Sequence, residues 1–182
     1  MFSAQGFTLI ELLVVVAIMG VLGVITVGYG NFGENQKLNI ATADIQSLLK
    51  LAQTNAATRV NCTSDGGGNG AIWWVEFAMG RKTVTTFCDN DMTTPSTTQA
   101  VNTYTLDSSL EISAISGGSS ACSSGFPNNE VRIYFEPLYA TVSFVDCQNS
   151  HYLLITVKNN KTTDTANSKQ VKIDKGGSIS VQ

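Results

Sequence analysis

Between Phe7 and Val27 the chain runs for 21 residues with only three polar side chains, Thr8, Glu11 and Thr26. At about 1.5 Å rise per residue this stretch forms a helix of roughly 30 Å, the depth of a bilayer's hydrocarbon core. Few folds accommodate such a segment, because a helix that is apolar on every side has to be covered by lipid or by other helices. Only 14% of the 182 residues are charged, against about 25% in a typical soluble domain, so part of the chain is expected to avoid water. The order of parts is also informative. A secretory signal peptide places its cleavage site after the apolar run. Here a short polar leader, residues 1–6, comes first and ends in Gly6. Cleavage after Gly6 would leave the whole apolar helix on the mature chain, starting at Phe7.

Glu11 then becomes the fifth residue of the mature chain. A carboxylate complements a helix N-terminus, but entering hydrocarbon alone costs it about 2.5 kcal/mol or more. The available partner is the new α-amino group on Phe7 of a neighbouring subunit. The stretch GFTLIELLVVVAI, Gly6–Ile18, resembles the class III signal of type IV pilins and type II secretion pseudopilins. That resemblance implies that a prepilin peptidase in the inner membrane cuts between Gly6 and Phe7 and N-methylates Phe7. It also implies that Glu11 directs assembly with other pilin or pseudopilin subunits. The expected location is a single pass through a bacterial inner membrane, with the globular part outside the cytoplasm, followed by transfer to a pilus or pseudopilus. The leader departs from the family in carrying no Lys or Arg. Gly28 stands where many major pilins carry a proline. With Gly20, Gly23, Gly30 and Gly33 it marks a stretch able to unwind or bend in a filament, since each glycine weakens a helix by about 1 kcal/mol relative to alanine.

The expected organisation is a leader (1–6), a transmembrane and assembly helix (7–30), and a globular domain (31–182) that begins with an amphipathic half-helix (37–59). In that half-helix Leu38, Ala41, Ile45, Leu48, Leu49, Ala52 and Ala56 recur at helical spacing. Asn39, Asp44, Gln46, Lys50 and Gln53 occupy the other face. Its polar face is not basic, so the apolar stripe is expected on a sheet rather than on a lipid surface. Strands are expected at 71–78 and 82–88, joined by a tight turn at Met79-Gly80-Arg81, and at 104–106, 110–115, 130–135, 139–145, 152–157, 170–173 and 178–181. The Gly-rich stretch 64–70 reads as a loop and lacks the GK[ST] of a phosphate loop. Residues 89–100, 116–125 and 159–168 also read as loops. The fold class is therefore α+β, a long N-terminal helix packed on an antiparallel sheet. Of Trp73 and Trp74, which face opposite ways on a strand, one is expected in the core and the other half-exposed. The stretch 45–61, the tryptophan-bearing strand and the closing VKIDKGGSISV resemble the pseudopilin H and FimT/FimU minor-pilin branch.

Cys62, Cys88, Cys122 and Cys147 contain no CxxC pair, which argues against structural zinc. In an exported domain four cysteines suggest two disulfides, with three pairings open. The sequential pairing, 62–88 and 122–147, is expected because each pair brackets a neighbouring pair of strands. Asp89 and Asp91 read as solvated loop carboxylates rather than calcium ligands, the EF-hand pattern being absent. His151 is the only histidine and stands beside a strand. No triad, HExxH or GxSxG motif occurs, so the chain reads as a non-enzyme with no cofactor and no metal, a substrate of the peptidase. Charge is uneven. Residues 7–157 hold 6 Lys/Arg and 12 Asp/Glu, a net −6, whereas residues 158–182 hold 5 Lys and 2 Asp, a net +3. Lys158, Lys161, Lys169, Lys172 and Lys175 are the candidate DNA contacts. Some FimT-type minor pilins bind DNA through a Gly-Arg-any-Arg motif; here Lys175-Gly176-Gly177-Ser178 stands in that region. The leading expectation is a minor pilin or pseudopilin. The alternatives are a DNA-binding minor pilin for natural transformation, a major pilin, or an adhesin.

Overall fold

The computed structural model describes residues 8–62, 71–89, 99–118, 130–137, 141–147, 149–161 and 167–182, without the side chains of 24–32, 99 and 146. A single helix, α1, spans Leu9–Ala57 and includes the expected weak stretch Gly20–Gly33. The chain divides into two compact units, Met1–Gln36 and Lys37–Gln182.

In the second unit Leu38, Ala41, Ile45, Leu49, Ala52 and Ala56 of α1 are buried. They recur at three- and four-residue intervals, which aligns them on one helical face. The helix ends in a left-handed cap. Arg59 takes φ 55°, its N–H donates to the Ala56 carbonyl (3.2 Å) and the Val60 N–H to the Asn55 carbonyl (2.9 Å). These are the two bonds that close a helix when the next residue turns left-handed.

The strands are β1 (Ile72–Ala78), β2 (Thr83–Asp89), β3 (Gln99–Thr105), β4 (Leu110–Gly117), β5 (Glu130–Phe135), β6 (Val142–Phe144), β7 (Tyr152–Asn159), β8 (Ser168–Asp174) and β9 (Ile179–Val181). They form a five-stranded sheet in the order β3-β2-β1-β5-β6 and a four-stranded sheet in the order β4-β7-β8-β9. The paired strands run antiparallel in both sheets. Alternation sets the faces. Val75 and Phe77 of β1, Ile133 and Phe135 of β5, Leu153 and Ile155 of β7 and Ile173 of β8 enter one core with the α1 stripe. The turn between β1 and β2 also tethers the second sheet, its Gly80 N–H donating to the Ile112 carbonyl of β4 at 2.9 Å. Gly80 takes φ 74°, a conformation that favours glycine. The closing hairpin is strapped to α1: the side-chain amides of Gln46 and Gln53 donate to the carbonyls of Ile179 and Gly177, each at 2.9 Å.

The α+β class is as expected, and four details differ. β3 begins at Gln99, inside the stretch read as a loop, because pairing with β2 and not its own pattern makes it a strand. β6 is confined to Val142–Phe144, and a short 3-10 turn, Val145–Cys147, follows it. Asp89 is not a solvated loop carboxylate: it is the last residue of β2, opposite Ile72, and only 4% exposed. Asp91 lies outside the described residues. Trp74 is not half-exposed either. Trp73 enters the core and donates from Nε1 to the Val60 carbonyl at 3.0 Å. Trp74, on the opposite face and 6% exposed, is stacked between its cross-strand neighbours Phe87 and Tyr134, with centroids 5.5 and 5.4 Å away.

Candidate functional site

The candidate site is the start of α1. Thr8 and Glu11 form a reciprocal cap there. The Thr8 backbone N–H (3.0 Å) and hydroxyl (2.7 Å) both donate to Glu11 Oε2. The Glu11 backbone N–H returns to Thr8 Oγ1 at 3.4 Å. A helix leaves its first N–H groups without intrahelical partners, and a Thr followed three residues later by Glu satisfies two of them. Glu11 was legible in the sequence as a charge in an apolar run. Thr8 was missed as its partner, although the spacing Thr8-Leu9-Ile10-Glu11 is the sequence signature of this cap.

Beyond the cap, eleven large apolar side chains between Leu9 and Leu22 are exposed, from 43% at Val15 to 83% at Leu9. Successive residues turn by about 100°, so this apolar surface surrounds the helix instead of forming a stripe. A surface of this kind is stable only when lipid or other helices cover it. Among the described residues no helix is long and apolar enough to cross a membrane. The described side chains of the apolar run stop at Gly23, so the expected span lies partly outside them. Gly6 and Phe7, the expected cleavage and methylation positions, lie outside the described residues as well.

Of the cysteines, Cys62 and Cys88 form a disulfide with Cα atoms 5.9 Å apart, tying the segment after α1 to β2. Cys147 is disulfide-bonded and buried; its expected partner, Cys122, lies outside the described residues.

The five lysines of the tail are not gathered into one patch. Lys158 and Lys172 lie on the outer face of the four-stranded sheet, where Lys158 faces Glu111. Lys172 pairs with Asp174 at 3.0 Å and sits 4.9 Å from the Tyr152 ring centroid. Lys169 lies opposite Val157, on the other face of the sheet. Lys161 follows β7, and Lys175 sits in the last turn, where its N–H donates to the His151 carbonyl at 2.8 Å. His151 is exposed in the bend before β7. Among the described residues no group of three or more His, Cys, Asp or Glu comes together as a metal site.

Residues 1–27 match a known sequence family, the prokaryotic N-terminal methylation motif. This motif is the type IV pilin signal, and it supports reading the chain as a pilin-like precursor; it does not distinguish the branches of that family. No curated protein matches the chain, and no solved structure does.

Proposed function

We propose that this chain is a structural subunit, a minor pilin or pseudopilin, of a type IV pilus or type II secretion filament. The motif match over residues 1–27 carries the reading. The all-round apolar surface of α1 from Leu9 to Leu22 supports it, being suited first to a bilayer and then to a bundle of like helices. In this reading prepilin peptidase removes residues 1–6 and methylates Phe7. The subunit waits in the inner membrane with its second unit outside the cytoplasm. Assembly then exchanges lipid for neighbouring helices, and Glu11 accepts from a neighbour's α-amine. The carboxylate sets register, because an unpaired charge left in such a bundle costs several kcal/mol. The protein is a substrate and a building block in this scheme, and catalysis belongs to the peptidase. The test is mass spectrometry of the chain isolated from its native cell. It is expected to give residues 7–182 with a methylated Phe7, in membranes and in sheared filaments. A chain still carrying Met1 would overturn the reading.

A further inference from the structure

Three of the four cysteines lie inside the hydrophobic core. Cys62, Cys88 and Cys147 are 7%, 0% and 3% exposed, in one buried cluster that runs on to Ile173 of β8 and Ile179 of β9. Thiol–disulfide exchange needs a thiolate to reach a sulfur atom, and a sulfur buried in apolar surroundings is inert. That burial is complete only when the last hairpin has joined the core. What brings Cys62 to Cys88 is, by contrast, local. Trp73 of β1 pairs across the hairpin with Cys88 of β2. Its Nε1–H donates at 3.0 Å to the carbonyl of Val60, two residues before Cys62. One residue thus reaches both halves of the bond, β2 through strand pairing and the segment after α1 through the indole. We propose that the Cys62–Cys88 bond is made on a partly folded chain, in a unit of the end of α1 and the β1–β2 hairpin that Trp73 aligns, and that the rest of the core then closes over it. A lone hairpin is marginally stable, so the alignment is transient until the covalent bond fixes it. The step is a double exchange with a disulfide-bearing oxidant. One cysteine thiolate attacks the oxidant's disulfide, forming a mixed disulfide and releasing one oxidant thiolate. The other cysteine thiolate attacks the protein-bound sulfur of that mixed disulfide, forming Cys62–Cys88 and releasing the second oxidant thiolate. Two electrons pass to the oxidant, and the two cysteines give up their protons. Oxidation therefore precedes closure of the domain, and Trp73 is its positioning residue.

The experiment uses the full chain in detergent micelles and has two arms, both read by alkylating free thiols at intervals and mapping the peptides. In the first, the folded, oxidised chain meets dithiothreitol in urea concentrations below its unfolding transition. A bond reached only by unfolding is reduced at a rate whose logarithm rises with urea along the slope of the unfolding equilibrium, and that slope is expected. A rate that does not change with urea would show the bond to be reachable in the folded chain and would overturn the proposal. In the second arm the reduced chain is diluted from urea into reduced and oxidised glutathione. The Cys62–Cys88 bond is expected to form while the amides of β8 still exchange with solvent. Its appearance only after those amides are protected would overturn the order of events. Trp73→Phe keeps an aromatic ring and removes the donor to Val60. It is expected to slow Cys62–Cys88 about three- to tenfold relative to the bond made by Cys147, the worth of one hydrogen bond. Phe77→Leu, at another fully buried side chain of β1, is expected to leave that relative rate unchanged. Equal effects of the two substitutions, or none from Trp73→Phe, would overturn the role given to Trp73.

Discussion

Gly118, the residue after β4, has no room for a methyl group. A Cβ at this position would lie 2.5 to 3.0 Å from three ring atoms of Tyr152, well inside van der Waals contact. The ring is half-buried, so a methyl group at position 118 requires it to shift. Lys172 lies over it at 4.9 Å, and the backbone beneath is bonded in place: the Gly118 N–H donates to Ser150 Oγ at 2.7 Å, and Ser150 Oγ donates to the Tyr152 carbonyl at 2.6 Å. Ser150 is itself fully buried, so the cluster cannot open without exposing partners of buried polar groups. Gly118→Ala is expected to lower the free energy of unfolding by about 1–3 kcal/mol, the usual cost of forcing extra carbon into a packed site. Urea unfolding of the two proteins, followed by tryptophan fluorescence, reads it directly. An unchanged midpoint would mean that Tyr152 moves aside freely.

At the scale of elements, the turn between β3 and β4 depends on one carboxylate. Asp107 Oδ1 accepts from the Ser109 N–H at 2.9 Å, from the Ser109 hydroxyl at 2.7 Å and from Lys37 Nζ at 3.5 Å. The Ser109 bonds, with Lys37 behind them, hold the Asp107 carboxyl down to about 2, against an ordinary 3.8. A group whose folded value is depressed contributes stability that is complete above its unfolded value and lost as pH falls through the folded one. The window is therefore between about pH 4 and pH 2. Wild type is expected to lose stability across it, while Asp107→Asn starts lower at neutral pH and changes less. Urea midpoints at several pH values give the comparison, and parallel curves for the two proteins would refute it. At the opposite edge of the pH range, burial and the Asp44 carboxylate push Tyr104 up to about 12, so the contact between β3 and α1 persists in mild alkali. The sequence showed these elements unevenly. The stripe Leu38 to Ala56 and the Met79-Gly80-Arg81 turn were legible because each carries its own period or its own special residue. β3 and the burial of Trp74 were not, since both depend on cross-strand partners that no local pattern names. At the candidate site Glu11 stood out by charge, whereas Thr8 was hidden by looking like one more tolerable polar residue in an apolar run.

For the molecule as a whole, the cysteines join buried segments that lie far apart in sequence. The Cys62–Cys88 link closes a loop with a sequence separation of 26, worth roughly 3 kcal/mol by the chain-entropy relation. We propose that Cys122 and Cys147 form the second link. Non-reducing peptide mapping is expected to find 62–88 and 122–147, and Cys62→Ala/Cys88→Ala to lower the unfolding free energy by about that amount; crossed pairs or free thiols would refute the pairing. The straps from Gln46 and Gln53 to the closing hairpin have a further consequence, one of time rather than energy. They join residues 133 and 124 positions apart. At a synthesis rate of about 5–20 residues per second, roughly 6 to 27 seconds separate the making of the two ends of these straps. A chain that stops before the closing hairpin therefore lacks both straps to α1.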